Sequence, residues 1–111
     1  MKPILDRAEV SIDLEDRFYQ SSFERDAAFE VRTDEDELML KLVYKGERAR
    51  VAGLHLHYFL LADILQETAS SIASQPPIDE IHRAPLIKAT KDLLLALETG
   101  GRNHRRKRST K

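Results

Sequence analysis

Two histidines one residue apart, in Leu54-His55-Leu56-His57, form the spacing in this chain best suited to metal chemistry. On a strand, side chains two positions apart point the same way and can share an ion, and Asp63 could add a carboxylate. A metal centre needs three or four convergent ligands, however. The other imidazoles, His82 and His104, stand at no recognisable spacing from the pair. The competing reading needs no metal: His55 and His57 close a strand and open a helix, with their rings half exposed or bonded to backbone carbonyls. We therefore assign no metal and no cofactor. A small metal-dependent enzyme built on His55, His57 and Asp63 is kept only as the third functional reading.

Other catalytic constellations are absent from the sequence. The run Asp34-Glu35-Asp36-Glu37 has hard oxygen ligands but lacks the alternating acids, central glycine and distal glutamate of a calcium loop, so it reads as a solvated hairpin tip. Glu15-Asp16 and Asp79-Glu80 fall where helices would start, and the helix dipole accounts for them without acid–base work. No Gly-x-Ser-x-Gly elbow exists, and glycines occur only at 46, 53, 100 and 101, so neither a Walker loop nor a dinucleotide-binding glycine fingerprint can be written. With no cysteine, thiol nucleophiles, disulfides and cysteine-ligated clusters are excluded for want of the atoms. No catalytic residue is assigned.

The strongest chemical signal is electrostatic. Six of the eighteen basic residues, Arg102, Arg105, Arg106, Lys107, Arg108 and Lys111, lie in the last ten positions. Residues 1–101 then hold twelve basic against nineteen acidic side chains, a net −7, beside a +6 tail. Clustered cations gain by releasing counterions condensed on a nucleic acid, so the tail is expected to bind a polyanion with steep salt dependence. It has no aromatic residue to stack on bases, so it would not read sequence. A solubilising tail, an address read by a transport receptor, and a contact for an acidic protein surface are its rivals.

These groups must be held by elements, and the sequence suggests which. Val10, Ile12 and Leu14 alternate with polar residues as in a short strand, and Leu14, Phe18, Tyr19 and Phe23 fit one side of a helix or an ordered loop. Phe29 and Val31, the acidic tip, and then Leu38, Leu40, Leu42 and Tyr44 read as a hairpin. Lys45-Gly46 offers a tight turn into a third strand over 48–54. The period then lengthens: Leu61, Ile64, Leu65, Thr68, Ala69 and Ile72 make the stripe of an amphipathic helix over 57–74. Pro76-Pro77 stops it. Pro85 suits the first turn of a second helix striped by Leu86, Thr90, Leu93, Leu94 and Leu97, with Gly100-Gly101 as its stop.

The expected fold is thus α+β. An antiparallel meander of about three strands packs against two C-terminal helices in a single domain over 1–101, and 102–111 is a disordered basic tail. Length and composition agree, since 111 residues with 41% apolar and 33% charged side chains suffice for one modest core. The first residues lack a secretory pattern and no segment has the apolar length to span a bilayer, so a cytoplasmic location and no membrane partner are expected. The helical stripe at 57–74 carries more apolar surface than one sheet face requires. Tyr58, Phe59 and Leu95 are the residues expected to stay outside the core and meet a protein partner, a symmetric dimer being the simplest. The leading functional expectation is a non-enzymatic interaction or regulatory module, self-associating, with a polyanion-binding tail. A sequence-nonspecific nucleic-acid-binding protein is the second.

Overall fold

The computed structural model describes the backbone of residues 1–109 and the side chains of residues 1–100. Among the described residues six strands and two helices follow one another: β1 (Lys2–Pro3), β2 (Ala8–Leu14), β3 (Arg17–Phe23), β4 (Ala27–Thr33), β5 (Glu37–Tyr44), β6 (Arg50–His57), α1 (Tyr58–Ala73) and α2 (Glu80–Ser109). The fold is α+β, with more strands than the three expected. Two compact units lie along the chain, Met1–Glu67 and Thr68–Lys111.

In the first unit, β1, β4, β5 and β6 form an antiparallel sheet in that spatial order, and β2 pairs with β3 as a separate hairpin. The β4–β5 hairpin is the one expected from the alternation of Phe29 and Val31 with Leu38, Leu40 and Leu42. Its register places Phe29 opposite Leu42 and Val31 opposite Leu40, so the apolar residues of both strands share a face. β6 extends that face, with Ala52, Leu54 and Leu56 opposite Leu42, Leu40 and Leu38.

The stretch 14–23, expected to be a helix or loop, is instead the turn and second strand of the β2–β3 hairpin. A spacing of four, as between Tyr19 and Phe23, is also a multiple of two and so satisfies a strand as well as a helix. In the observed register Ala8 faces Phe23 and Ile12 faces Tyr19, giving the hairpin one apolar face.

The core is small and made by strands and their connections. Ile4, Phe23, Ala27 and Leu42 form its centre, with Ala8, Val10, Phe29, Leu40, Tyr44 and Ala52 half-buried around them. Among the described residues, Phe23 is the one large side chain almost wholly withdrawn from water. Cover over the Leu42 end of the sheet therefore comes from the β1–β2 connection and from β3.

α1 follows β6 without a break and matches the expected helix to within a residue at each end. Its stripe was expected to enter the core, yet no residue of α1 is buried. α2 begins five residues before Pro85, not at it. The Asp79 carbonyl accepts from the His82 and Arg83 amides at 3.0 and 2.8 Å, which starts the helix upstream. Pro85 then lies inside α2, where it lacks the N–H that would have bonded one turn back. The helix also continues through Gly100 and Gly101, the pair expected to end it; glycine weakens a helix by only about 1 kcal/mol relative to alanine, which does not by itself enforce a stop. The expected disordered tail over 102–111 falls outside the residues whose side chains are described. Among the described residues, no helix is long and apolar enough to cross a membrane.

Candidate interaction surfaces

The histidine pair has a partner that sequence reasoning did not assign. Glu37 opens β5 directly opposite His57 of β6, and His55 stands diagonal to it on the same face. Its carboxylate reaches both rings: Oε1 is 3.0 Å from His55 Nδ1 and Oε2 is 3.2 Å from His57 Nε2. A carboxylate accepts only, so a hydrogen bond from either ring uses the tautomer with its proton on the nitrogen that faces Glu37. This is a surface clamp between two strands, and exposure limits what such pairs contribute. Among the described residues no group of three or more histidine, aspartate or glutamate side chains is placed to hold a metal ion, so Asp63 does not complete the arrangement considered from the sequence.

Asp34, Glu35 and Asp36 form the tip of the β4–β5 hairpin, as the composition of the acidic run implied, and its last member, Glu37, opens β5. Asp34 Oδ1 accepts from the amides of Asp36 and Glu37 at 2.8 and 2.9 Å, and the Asp34 amide donates to the Glu37 carbonyl at 3.0 Å. The amides of Asp36 and then Glu37, with smaller help from the nearby charges of His57 and His55, hold the Asp34 carboxyl below its ordinary value. The same tip anchors the start of α1. The Tyr58 hydroxyl donates to the Asp34 carbonyl at 2.6 Å and the Tyr58 amide to the Asp36 carbonyl at 3.1 Å.

Of the three residues expected to meet a protein partner, Tyr58 is thus partly engaged by its own hairpin, whereas Phe59 is 93% exposed and Leu95 is 59% exposed. They belong to a larger set. Leu60, Ile64, Leu65 and Ile72 of α1 are exposed, as are Leu86, Ile87, Leu93, Leu94 and Leu97 of α2. Consecutive residues on a helix are about 100° apart, so Leu93, Leu94 and Leu95 alone sweep more than half of the circumference of α2. An apolar arc this wide is characteristic of a helix covered on more than one side.

The first unit has open apolar surface of its own. The core end of the β2–β3 hairpin is buried through Phe23, but Ile12, Leu14 and Tyr19 on the same face are exposed. On the sheet, a groove of about 660 Å³ is lined by Ile4, Leu5, Ala8, Phe29, Leu40 and Leu42.

Arg50 joins the two halves of this unit. Its Nη2 donates to the Ser22 carbonyl at 2.7 Å, and its guanidinium lies 4.3 Å from the Tyr44 ring centre and 5.3 Å from that of Phe23. The cation is held by a carbonyl and two ring faces, with no carboxylate, while its Nε is buried without a hydrogen-bond partner. Tyr44 in turn lies across Gly46, where any side chain would strike the ring, so the β5–β6 turn keeps glycine for space. Nothing in the sequence pointed to this cluster, because its members come from three strands.

Known proteins offer no guide. Comparison with protein-family models, with curated proteins and with solved structures finds no match. The surface chemistry of the chain therefore carries the functional reading. The six cations of the tail lie outside the residues whose side chains are described.

Proposed function

We propose that this chain is a non-enzymatic interaction module that works as a self-assembly, burying the apolar faces of its helices between copies while the basic tail engages a polyanion. The observation that carries the reading is the exposure of large apolar side chains along both helices, from Phe59 at 93% to Leu97 at 69%, where the buried core among the described residues is only a few side chains. Large apolar side chains left exposed in this number mark interfaces, since a monomer that leaves them in water forgoes the stabilisation their burial would give.

A second copy is the partner that the pattern favours. Leu61, Leu65, Thr68 and Ile72 on α1, and Leu86, Thr90, Leu93 and Leu97 on α2, follow the four-three-four spacing of helices that pack along their length. Two copies bring four such helices, enough to cover an arc wider than one neighbour can, Phe59 on the side of α1 away from that stripe included, and a closed two-fold arrangement satisfies the same patch on both chains. Sedimentation velocity of the full chain over a wide concentration range tests this. Self-association is the expected result, and a monomer at every concentration refutes it.

The charge pattern favours a second reading, in which the tail makes the chain a sequence-nonspecific nucleic-acid-binding protein. A body of net −7 offers little for a second phosphate contact, so the tail would dominate. Fluorescence anisotropy with unrelated DNA and RNA, comparing the full chain with a 1–101 truncation at low and physiological salt, separates the cases. Binding by the full chain alone, weakening steeply with salt, supports a nucleic-acid role. Absence of binding removes it and leaves the interaction module.

A further inference from the structure

We infer that β6 is an interface strand, pairing antiparallel with β6 of a second copy so that two four-stranded sheets become one of eight. The inference rests on the self-association reading above and names where in the first unit the copies meet. β6 stands at the edge of its sheet, with β5 as its one neighbour, and all eight of its residues pair one for one with β5 without a bulge. Every second residue of such an edge turns its amide and carbonyl outward with no ladder partner, a template for another strand.

The two edges of the sheet are treated differently. At the far edge β1 is two residues long, with a lysine and a proline, and β4 beyond it carries the Glu30–Arg32 ion pair at 2.9 Å. Short strands, proline and charge are the devices that keep edges from pairing. β6 has none of these over Val51-Ala52-Gly53-Leu54-His55-Leu56. Its one permanent charge, Arg50, is turned to Ser22 and the rings of Phe23 and Tyr44, and so does not guard the edge. Val51 and Leu54 are nonetheless 62% and 50% exposed.

The sequence of β6 suits itself as a partner. A two-fold pairing centred on Leu54 puts Leu54 against Leu54 and Ala52 against Leu56 on one face, and Gly53 against His55 on the other. No like charges face each other. Ala52, Leu54 and Leu56 already share a face with Leu42, Leu40 and Leu38 of β5, so the apolar surface of each sheet would run unbroken into the next. A centre at Gly53 would instead set two residues without side chains against each other at the axis and bring Arg50 opposite Leu56.

The chain has no cysteine, so a single introduced thiol reports position cleanly. Leu54→Cys should give a disulfide-linked dimer on mild oxidation of the full chain, or a dimer linked by a short bismaleimide. Val31→Cys, equally exposed and on the same face but carried by β4, should not link. Leu54→Lys, which sets two cations against each other across the axis, should raise the dimer dissociation constant by at least about tenfold with an unchanged circular-dichroism spectrum. A dimer that persists in sedimentation while Leu54→Cys fails to link overturns the β6 interface and leaves self-association standing. A chain that is monomeric throughout overturns both. Should Leu54→Lys fail to fold, the thiol experiment decides alone. Linking of Val31→Cys as readily as Leu54→Cys counts against the inference, because it signals collision instead of register.

Discussion

Phe59 offers the sharpest separation between folding and association, because its side chain is 93% exposed in a single chain. Replacing it with serine removes almost no packing from the chain itself. Full burial of a large apolar side chain is worth roughly 1.5–3 kcal/mol, so a Phe59 that becomes covered in an assembly contributes about nine-tenths of that, or about 1.4–2.8 kcal/mol per copy. A symmetric dimer loses the contribution twice, about 3–6 kcal/mol, which corresponds to a dissociation constant raised by roughly a hundredfold to ten-thousandfold. Sedimentation velocity on the parent chain and the Phe59→Ser variant reads this change directly. Denaturation by guanidinium at concentrations where both are monomeric should meanwhile show stabilities within about 0.5 kcal/mol, as for a surface substitution. The reasoning is refuted by a dissociation constant unchanged within threefold. It is equally refuted by a monomer destabilised as much as the dimer, for then Phe59 would be supporting its own fold.

Three further substitutions probe the first unit. Phe23→Ala should cost about 3–5 kcal/mol, a third or more of the roughly 3–10 kcal/mol expected for a unit of 67 residues at about 0.05–0.15 kcal/mol per residue, so circular dichroism should find its melting temperature clearly lowered. Arg50→Lys keeps the charge but loses the flat guanidinium that contacts Tyr44, Phe23 and the Ser22 carbonyl together; a loss of roughly 1–3 kcal/mol in guanidinium denaturation is expected, and no loss would show that charge alone suffices. Asp34 has its carboxyl lowered from 3.8 by the Asp36 and Glu37 amides, so the folded state holds the ionised form more strongly than the unfolded chain does. That contribution is present above the unfolded value and disappears as pH falls through the folded one. The stability gap between the parent chain and Asp34→Asn should therefore be larger at neutral pH than in acid strong enough to protonate the carboxyl in the folded chain, and a gap independent of pH would contradict the assignment.

Local patterns were legible in the sequence, and non-local ones were not. The β4–β5 hairpin could be read because Leu38, Leu40 and Leu42 alternate beyond an acidic tip, and α1 because the apolar period lengthens after His57. β3 is ambiguous in sequence because Tyr19 and Phe23 stand four apart, a spacing on which helix and strand agree, and β1 is too short to show any period. The histidines of β6 were seen to point the same way. Their partner Glu37 was hidden in a run of four acids, and only the β5–β6 register reveals that it belongs to the strand while Asp34 and Asp36 belong to the turn. Arg50 was beyond reach, because a cation seated on two aromatic rings is a property of three strands brought together.

The apolar residues that bear most on function are those for which sequence and structure give different answers. Periodicity marks Leu61, Leu65 and Ile72 as a face to be buried, and α1 has no buried residue. The same holds for the hairpin, whose apolar face is core at Phe23 and open at Ile12, Leu14 and Tyr19. A strand or helix acquires a one-sided apolar pattern only where that side gains from leaving water, and within a single chain the gain at these positions is unrealised. An assembly would realise it. The β6 edge adds a directional element to that drive: apolar surface is indifferent to what covers it, whereas an unpaired ladder accepts only an extended strand in register. Helical faces would then supply much of the affinity and β6 the geometry. The two can be told apart by substitution, because Phe59→Ser should weaken the assembly while leaving thiols at position 54 able to link in whatever dimer remains, and Leu54→Lys should remove that register.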